Sequence, residues 1–232
     1  MTEGTQLALA VHLPDDATLD NFLYQKALLP LRASMDLPPA HNGEQIIYLF
    51  GPTGSGRSHL LQAACHALPA GDALYLPMEQ LLTMPAEEVL AGVESLALVC
   101  LDNIEMIAGN AAWEEALFHL INRARTSGCR LLFSANNAPR QLGVQLADLQ
   151  SRLSWGVVFQ LPELNDEDKL QILQFRALRR GMQLSDDSAR YILARAVRSL
   201  GELMELLEQL DKASMVAQRP LSIPFIKSTL DW

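Results

Sequence analysis

Short apolar runs at residues 46–50, 73–77, 96–101, 130–135 and 157–160 alternate with stretches of helical spacing near 57–68, 86–93, 112–127 and 139–143. Apolar strands separated by amphipathic helices predict a five-stranded parallel sheet with helices on both faces. Before the first strand, residues 21–43 hold a short helix and a Leu37-Pro38-Pro39 linker. After Leu164 the period changes. Asn165 followed by Asp166-Glu167-Asp168 predicts a capped helix to about Arg180, which Gly181 ends. Ser185-Asp186-Asp187 opens a second helix, 199–217 form a third, and Pro220 and Pro224 bracket a short last segment. The expected organisation is a flexible tail over 1–14, an α/β domain over 15–163 and an all-helical domain over 164–232. No internal repeat or low-complexity tract interrupts this pattern.

Composition narrows the class. The chain has 232 residues, 49% of them hydrophobic, an ordinary globular balance. No apolar run approaches the ~18 residues of a membrane span. The start, Met-Thr-Glu-Gly-Thr, lacks the basic region of a signal peptide. Cys65, Cys100 and Cys129 are odd in number and sit in apolar stretches, as reduced core thiols of a cytoplasmic protein do. Net charge is −9, with four lysines and no Lys/Arg block. Strong direct binding to DNA is therefore not expected.

The strand at 46–50 runs into Gly51-Pro52-Thr53-Gly54-Ser55-Gly56-Arg57-Ser58-His59. This is a phosphate-binding loop, with Arg57 where a lysine is usual. Its glycines let backbone N–H groups approach phosphates, and the following helix adds positive potential at its N-terminus. Ser58 stands where a hydroxyl would ligate Mg²⁺. A guanidinium is planar and larger than an ammonium, so Arg57 suits phosphate contact better than it suits catalytic geometry. His59 reads as a packing or capping neighbour of the bound phosphates.

A second signal lies at Leu96-Ala97-Leu98-Val99-Cys100-Leu101-Asp102-Asn103. An acid at a strand end holds the Mg²⁺ shell in P-loop proteins. Many hydrolases place a second acid next, and here that position is Asn103, which cannot act as a base. Glu105 is a further acid, expected in a turn. Arg57 and Asn103 together predict a holder of nucleotide that hydrolyses ATP poorly by itself.

P-loop, Asp-ended strand and helical lid resemble an AAA+ module. The segment Asp148-Leu149-Gln150-Ser151-Arg152-Leu153-Ser154-Trp155-Gly156 narrows the resemblance to the bacterial initiator DnaA and its relatives, over about residues 15–232. The resemblance implies several roles. Arg152 is a finger offered to a neighbour's nucleotide. Asn136, in Ser134-Ala135-Asn136-Asn137, is the sensor 1 residue. Arg198, in Val197-Arg198-Ser199-Leu200, is the sensor 2 residue. Asn21 and Phe22 wall the base. The cofactor is ADP or ATP, with Mg²⁺ at Ser58 and Asp102.

DnaA flanks its module with an interaction domain and a DNA-binding domain, for which this chain shows no room. The tail Gln6-Leu7-Ala8-Leu9-Ala10-Val11 resembles the hexapeptide by which DnaA-related regulators dock on the DNA polymerase sliding clamp. Its amide would fix register, while Leu7, Leu9 and Val11 would bury apolar area. The implied function is to bind ADP and the clamp, stimulate ATP hydrolysis by DnaA, and prevent re-initiation, with head-to-tail self-association expected. Two alternatives stay open: an active ATPase such as a helicase loader, and a non-hydrolytic accessory that bridges initiators at the origin.

Overall fold

A computed structural model describes residues 17–36, 45–197 and 199–232. The chain divides into two compact units at Leu161/Pro162. In the first, 3-10 turns at Leu19–Asn21 and Lys26–Leu28 precede α1 (Leu29–Asp36) and β1 (Ile46–Phe50). There follow α2 (Arg57–His66), β2 (Ala73–Pro77), α3 (Met78–Leu81), α4 (Ala86–Val89) and β3 (Leu98–Asp102). A 3-10 turn at Ile104–Ile107 leads to α5 (Ala111–Ser127), β4 (Arg130–Ala135), α6 (Ala147–Leu153) and β5 (Val157–Gln160).

The strands form one sheet of order β2-β3-β4-β1-β5, and every pairing is parallel. Strands buried on both sides explain the unbroken apolar runs. Ile46, Tyr48, Val99, Leu101, Leu131 and Phe133 pack against α3–α6. Ile47, Leu49, Cys100 and Leu132 pack with α1 and α2. β1 lies between β4 and β5 although three other strands come between it and β5 in sequence. Its C-terminal end is thus a switch point of strand order, where open α/β sheets build their sites.

One element differs from the sequence reading. The helix expected at 139–143 is a 3-10 turn at Pro139–Gln141, and the helix of that region is α6, further on. Ala17 and Leu19, ahead of the first strand, are buried.

The second unit is all helical: α7 (Asp166–Arg179), α8 (Asp186–Arg195), α9 (Leu200–Ala217) and α10 (Ile223–Leu230). Asn165 and Asp168 form a reciprocal capping box on α7, which satisfies two otherwise unpaired N–H groups. Ser185 and Ser199 cap α8 and α9 in the same sense. Pro224 does not break the last segment. It lies in the first turn of α10, where its missing N–H costs nothing. Leu170, Leu173, Ile192, Leu203, Leu207 and Phe225 join one core. No helix among the described residues is long and apolar enough to cross a membrane.

Candidate functional site

The C-terminal ends of β1, β3 and β4 bring the sequence-predicted residues together. Gly51 ends β1, its N–H donating to the Ala135 carbonyl at 3.3 Å. The loop closes through Ser55 N–H to the Pro52 carbonyl at 3.2 Å. Pro52 and Gly54 are exposed, whereas Ser55 and Arg57 are buried. Gly56, at φ 93°, caps α2 from the left-handed region. A Cβ there would meet the Phe22 ring at 2.7 Å, so glycine is needed both for conformation and for close approach.

Phe22 and Asn21 stand at the end of the first 3-10 turn, beside this loop. Phe22 packs on Tyr24 with centroids 4.7 Å apart and faces the His59 ring at 6.0 Å. His59 Nε2 is 3.1 Å from the Thr18 carbonyl oxygen, and His66 Nδ1 is 2.7 Å from that of Ala17. These two α2 histidines fasten the N-terminal segment against the P-loop helix.

Arg57 is 7% exposed. One guanidinium nitrogen lies 3.8 Å from Glu105 Oε1. That nitrogen, and the Ser55 hydroxyl, are buried without a hydrogen-bond partner. Buried polar groups are normally paired. Two orphaned polar groups in a glycine loop at a helix N-terminus fit an anionic group such as a phosphate.

Asp102 ends β3 and is 2% exposed. Tyr75 donates its hydroxyl to Oδ2 at 2.5 Å. Ser134 donates to Oδ1 and accepts from the Asn103 N–H at 2.9 Å. Sheet register explains the cluster. Cys100 pairs with Tyr75 and with Leu132, so Tyr75, Asp102 and Ser134 project to one face, that of α2. Burial beside the Asp102 carboxylate pushes the Tyr75 phenol well above its usual range.

The donor set here does not fit Mg²⁺ as expected from the sequence. Both Asp102 oxygens already accept hydroxyl donors, from Tyr75 and Ser134.

Asn103 sits at φ 57° in the left-handed region, which Asn tolerates better than most residues. Its side-chain amide donates to Glu79 Oε1 at 3.0 Å. No carboxylate therefore follows Asp102 directly. Glu105 lies in the next 3-10 turn. Burial pushes its carboxyl up from the usual 4.5, opposed by backbone N–H groups, including that of Asn136, and by Arg57. Asn136 itself is exposed.

The sign of this shift gives a pH prediction. The folded chain keeps the Glu105 proton where the unfolded chain has lost it. This group's contribution to stability thus rises as pH falls from neutral toward 4.5. Glu105→Gln should be more stable than the parent at neutral pH, with the gap closing as pH falls. Melting curves over a pH series check this; a gap that widens on acidification sinks it.

Arg152 lies on α6, far along the chain from the P-loop. Its guanidinium stacks 3.7 Å above the Trp155 ring and 5.6 Å from that of Phe118. Arg125 approaches the same indole at 5.1 Å. Trp155 is 46% exposed, so the stack is reachable from solvent. A Cβ on Gly156 would collide with the Ile46 carbonyl, which makes glycine necessary for β5 to run beside β1.

Glu114 of α5, unnoticed in the sequence, is 2% exposed. It accepts from the N–H groups of Gly109, Gln145 and Leu146 at 2.7–3.1 Å. It thereby fixes the loop that starts the Arg152 helix. Arg198 and the tail residues Gln6, Leu7, Leu9 and Val11 lie outside the described residues.

Comparison with known proteins agrees with this architecture. The profile of the bacterial DnaA ATPase domain matches residues 16–160, and that of the Hda lid domain matches 166–230. Among solved structures, domain III of the Thermotoga maritima initiator DnaA superposes with a TM-score of 0.72 at 19% identity, covering 95% of this chain and 98% of that one. AMPPCP-bound DnaA from Aquifex aeolicus gives 0.70 at 20% identity, over 88% of this chain and 67% of that one. The Thermotoga maritima RuvB T158V variant gives 0.65 at 17% identity, over 94% and 72%. These similarities are of fold. The DnaA profile spans most of the chain and the lid profile most of the remainder, so the chain belongs to the bacterial DnaA ATPase-domain family, as a DnaA-related AAA+ protein with an Hda-type lid.

Proposed function

We propose that the chain holds a nucleotide, ADP in its working state, and acts on the initiator DnaA by offering Arg152 to the ATP that DnaA carries. The observation that carries this reading is the asymmetry between its two chemistries. The P-loop end has orphaned buried groups for a phosphate but no carboxylate beside Asp102 to activate water. Arg152, in contrast, stands on a solvent-reachable aromatic stack, away from its own P-loop in sequence. An arginine of this kind stabilises charge developing on a transferred phosphoryl group. The AMPPCP bound to the Aquifex DnaA supports a nucleotide as the ligand.

In this reading the tail from Gln6 to Val11 docks on the sliding clamp and ties the activity to replicating DNA. Stimulated hydrolysis converts the initiator to its diphosphate form and prevents re-initiation. Head-to-tail pairing of two copies would bury Arg152 until release. Asn21 and Phe22 flank the base, Asn136 approaches the phosphates from the end of β4, and Arg198 keeps the sensor 2 role that the family resemblance implies.

The test follows labelled ATP bound to DnaA. With clamp loaded on DNA, the chain should raise conversion to ADP, and Gln6→Ala should lose both clamp capture and that stimulation. Rapid hydrolysis by the chain alone, with no effect on DnaA, would favour the active-ATPase alternative instead.

A further inference from the structure

P-loop proteins place Mg²⁺ between the loop hydroxyl and the strand-end acid, here Ser58 and Asp102. In this chain protein already engages the acid. Tyr75 donates to Asp102 Oδ2 at 2.5 Å. Ser134 takes the second carboxylate oxygen. Tyr75 and Asp102 are 7% and 2% exposed.

Mg²⁺ demands near-octahedral oxygens at about 2.0–2.1 Å and keeps several of its waters. Seating it here would displace the Tyr75 hydroxyl and hydrate a buried carboxylate. Positive charge for a phosphate is meanwhile available without a metal. Arg57, the residue after Gly56, is buried with a guanidinium nitrogen that has Glu105 3.8 Å away but no hydrogen-bond partner, and α2 directs its N-terminus at the loop.

We propose that the Tyr75 hydroxyl takes the place of the metal, so that this chain binds a nucleoside diphosphate through Arg57 and the P-loop amides without Mg²⁺. The inference rests on the nucleotide reading given above. It makes Tyr75 a positioning residue: it holds Asp102 away from a metal and leaves Arg57 as the cation at the phosphates. It also separates this site from that of a hydrolase, which needs the metal on the transferred phosphoryl group.

The test is a titration of the full chain, freed of nucleotide, with a fluorescent ADP analogue in excess Mg²⁺ and again in EDTA. Affinity of the parent chain should be the same in both. A loss of about tenfold or more in EDTA overturns the proposal while leaving the nucleotide reading standing. Absence of binding in both buffers, from protein with an unchanged circular dichroism spectrum, overturns the nucleotide reading and the proposal together. Tyr75→Phe removes the hydroxyl and frees one Asp102 oxygen. It should acquire a dependence on Mg²⁺ that the parent lacks, and Mn²⁺ in its place should bind the variant–ADP complex tightly enough for its electron resonance signal to be quenched. A folded Tyr75→Phe as indifferent to metal as the parent overturns the role given to Tyr75.

Discussion

Arg152→Ala is expected to leave the chain folded and clamp binding intact, and to abolish its stimulation of ATP hydrolysis by DnaA. The structural loss is small. The side chain stacks on Trp155 and Phe118 at the surface, and such cation–π contacts contribute about 0.5–1 kcal/mol. The functional loss is large, because an arginine finger contributes about 10³–10⁵ in rate in other nucleotide switches. Hydrolysis should therefore return to the unstimulated rate of the initiator. Arg152→Lys should not restore it, since an ammonium lacks the planar fork that engages two oxygens at once. Melting temperature, clamp capture and conversion of initiator-bound ATP, measured on one preparation, separate the two effects. Full stimulation by the alanine variant would falsify the assignment.

The second large effect is on stability. Glu114→Ala removes a buried carboxylate that accepts from three backbone N–H groups. Two of those donors, Gln145 and Leu146, lead into α6, and the third, Gly109, precedes α5. Removing their shared acceptor should cost about 1–3 kcal/mol. For a chain of this size that lowers the melting temperature by roughly 2–4 °C per kcal/mol. Glu114→Gln should recover only part of this, because its NH₂ group would face another N–H. The same variants should weaken stimulation of DnaA more than they weaken nucleotide binding, since the loop carries Arg152 rather than the P-loop. A change of less than 1 °C in thermal unfolding of Glu114→Ala would show that the loop is held by other contacts.

Much of the fold was legible because its signals are local. Apolar runs gave the strands, and Asn165, Ser185 and Ser199 announced helix starts through side-chain caps that need no tertiary partner. The P-loop is legible for the same reason, being one contiguous turn. The failures were also local. Helical spacing was read at 139–143, whereas that segment is a 3-10 turn and α6 begins at Ala147, once Glu114 has gathered the preceding backbone. Proline at 224 looked like a terminator but occupies a first turn.

The sequence by itself determined the αβ alternation, the glycine loop, the acid at the end of β3 and the helical second unit, since each depends on neighbours a few residues apart. It also marked Arg57 and Asn103 as departures from a hydrolase pattern. Tertiary structure alone decided what surrounds Asp102. Tyr75 and Ser134 reach it because the register of three parallel strands sets which side chains share a face, and register is invisible until the strands pair. It alone decided that Arg152 rests on Trp155, and that Glu114, an unremarkable acid in a helix, holds the loop behind it. Those contacts join residues distant in sequence, and their energy exists only when the chain has brought them together in a space from which water is largely excluded.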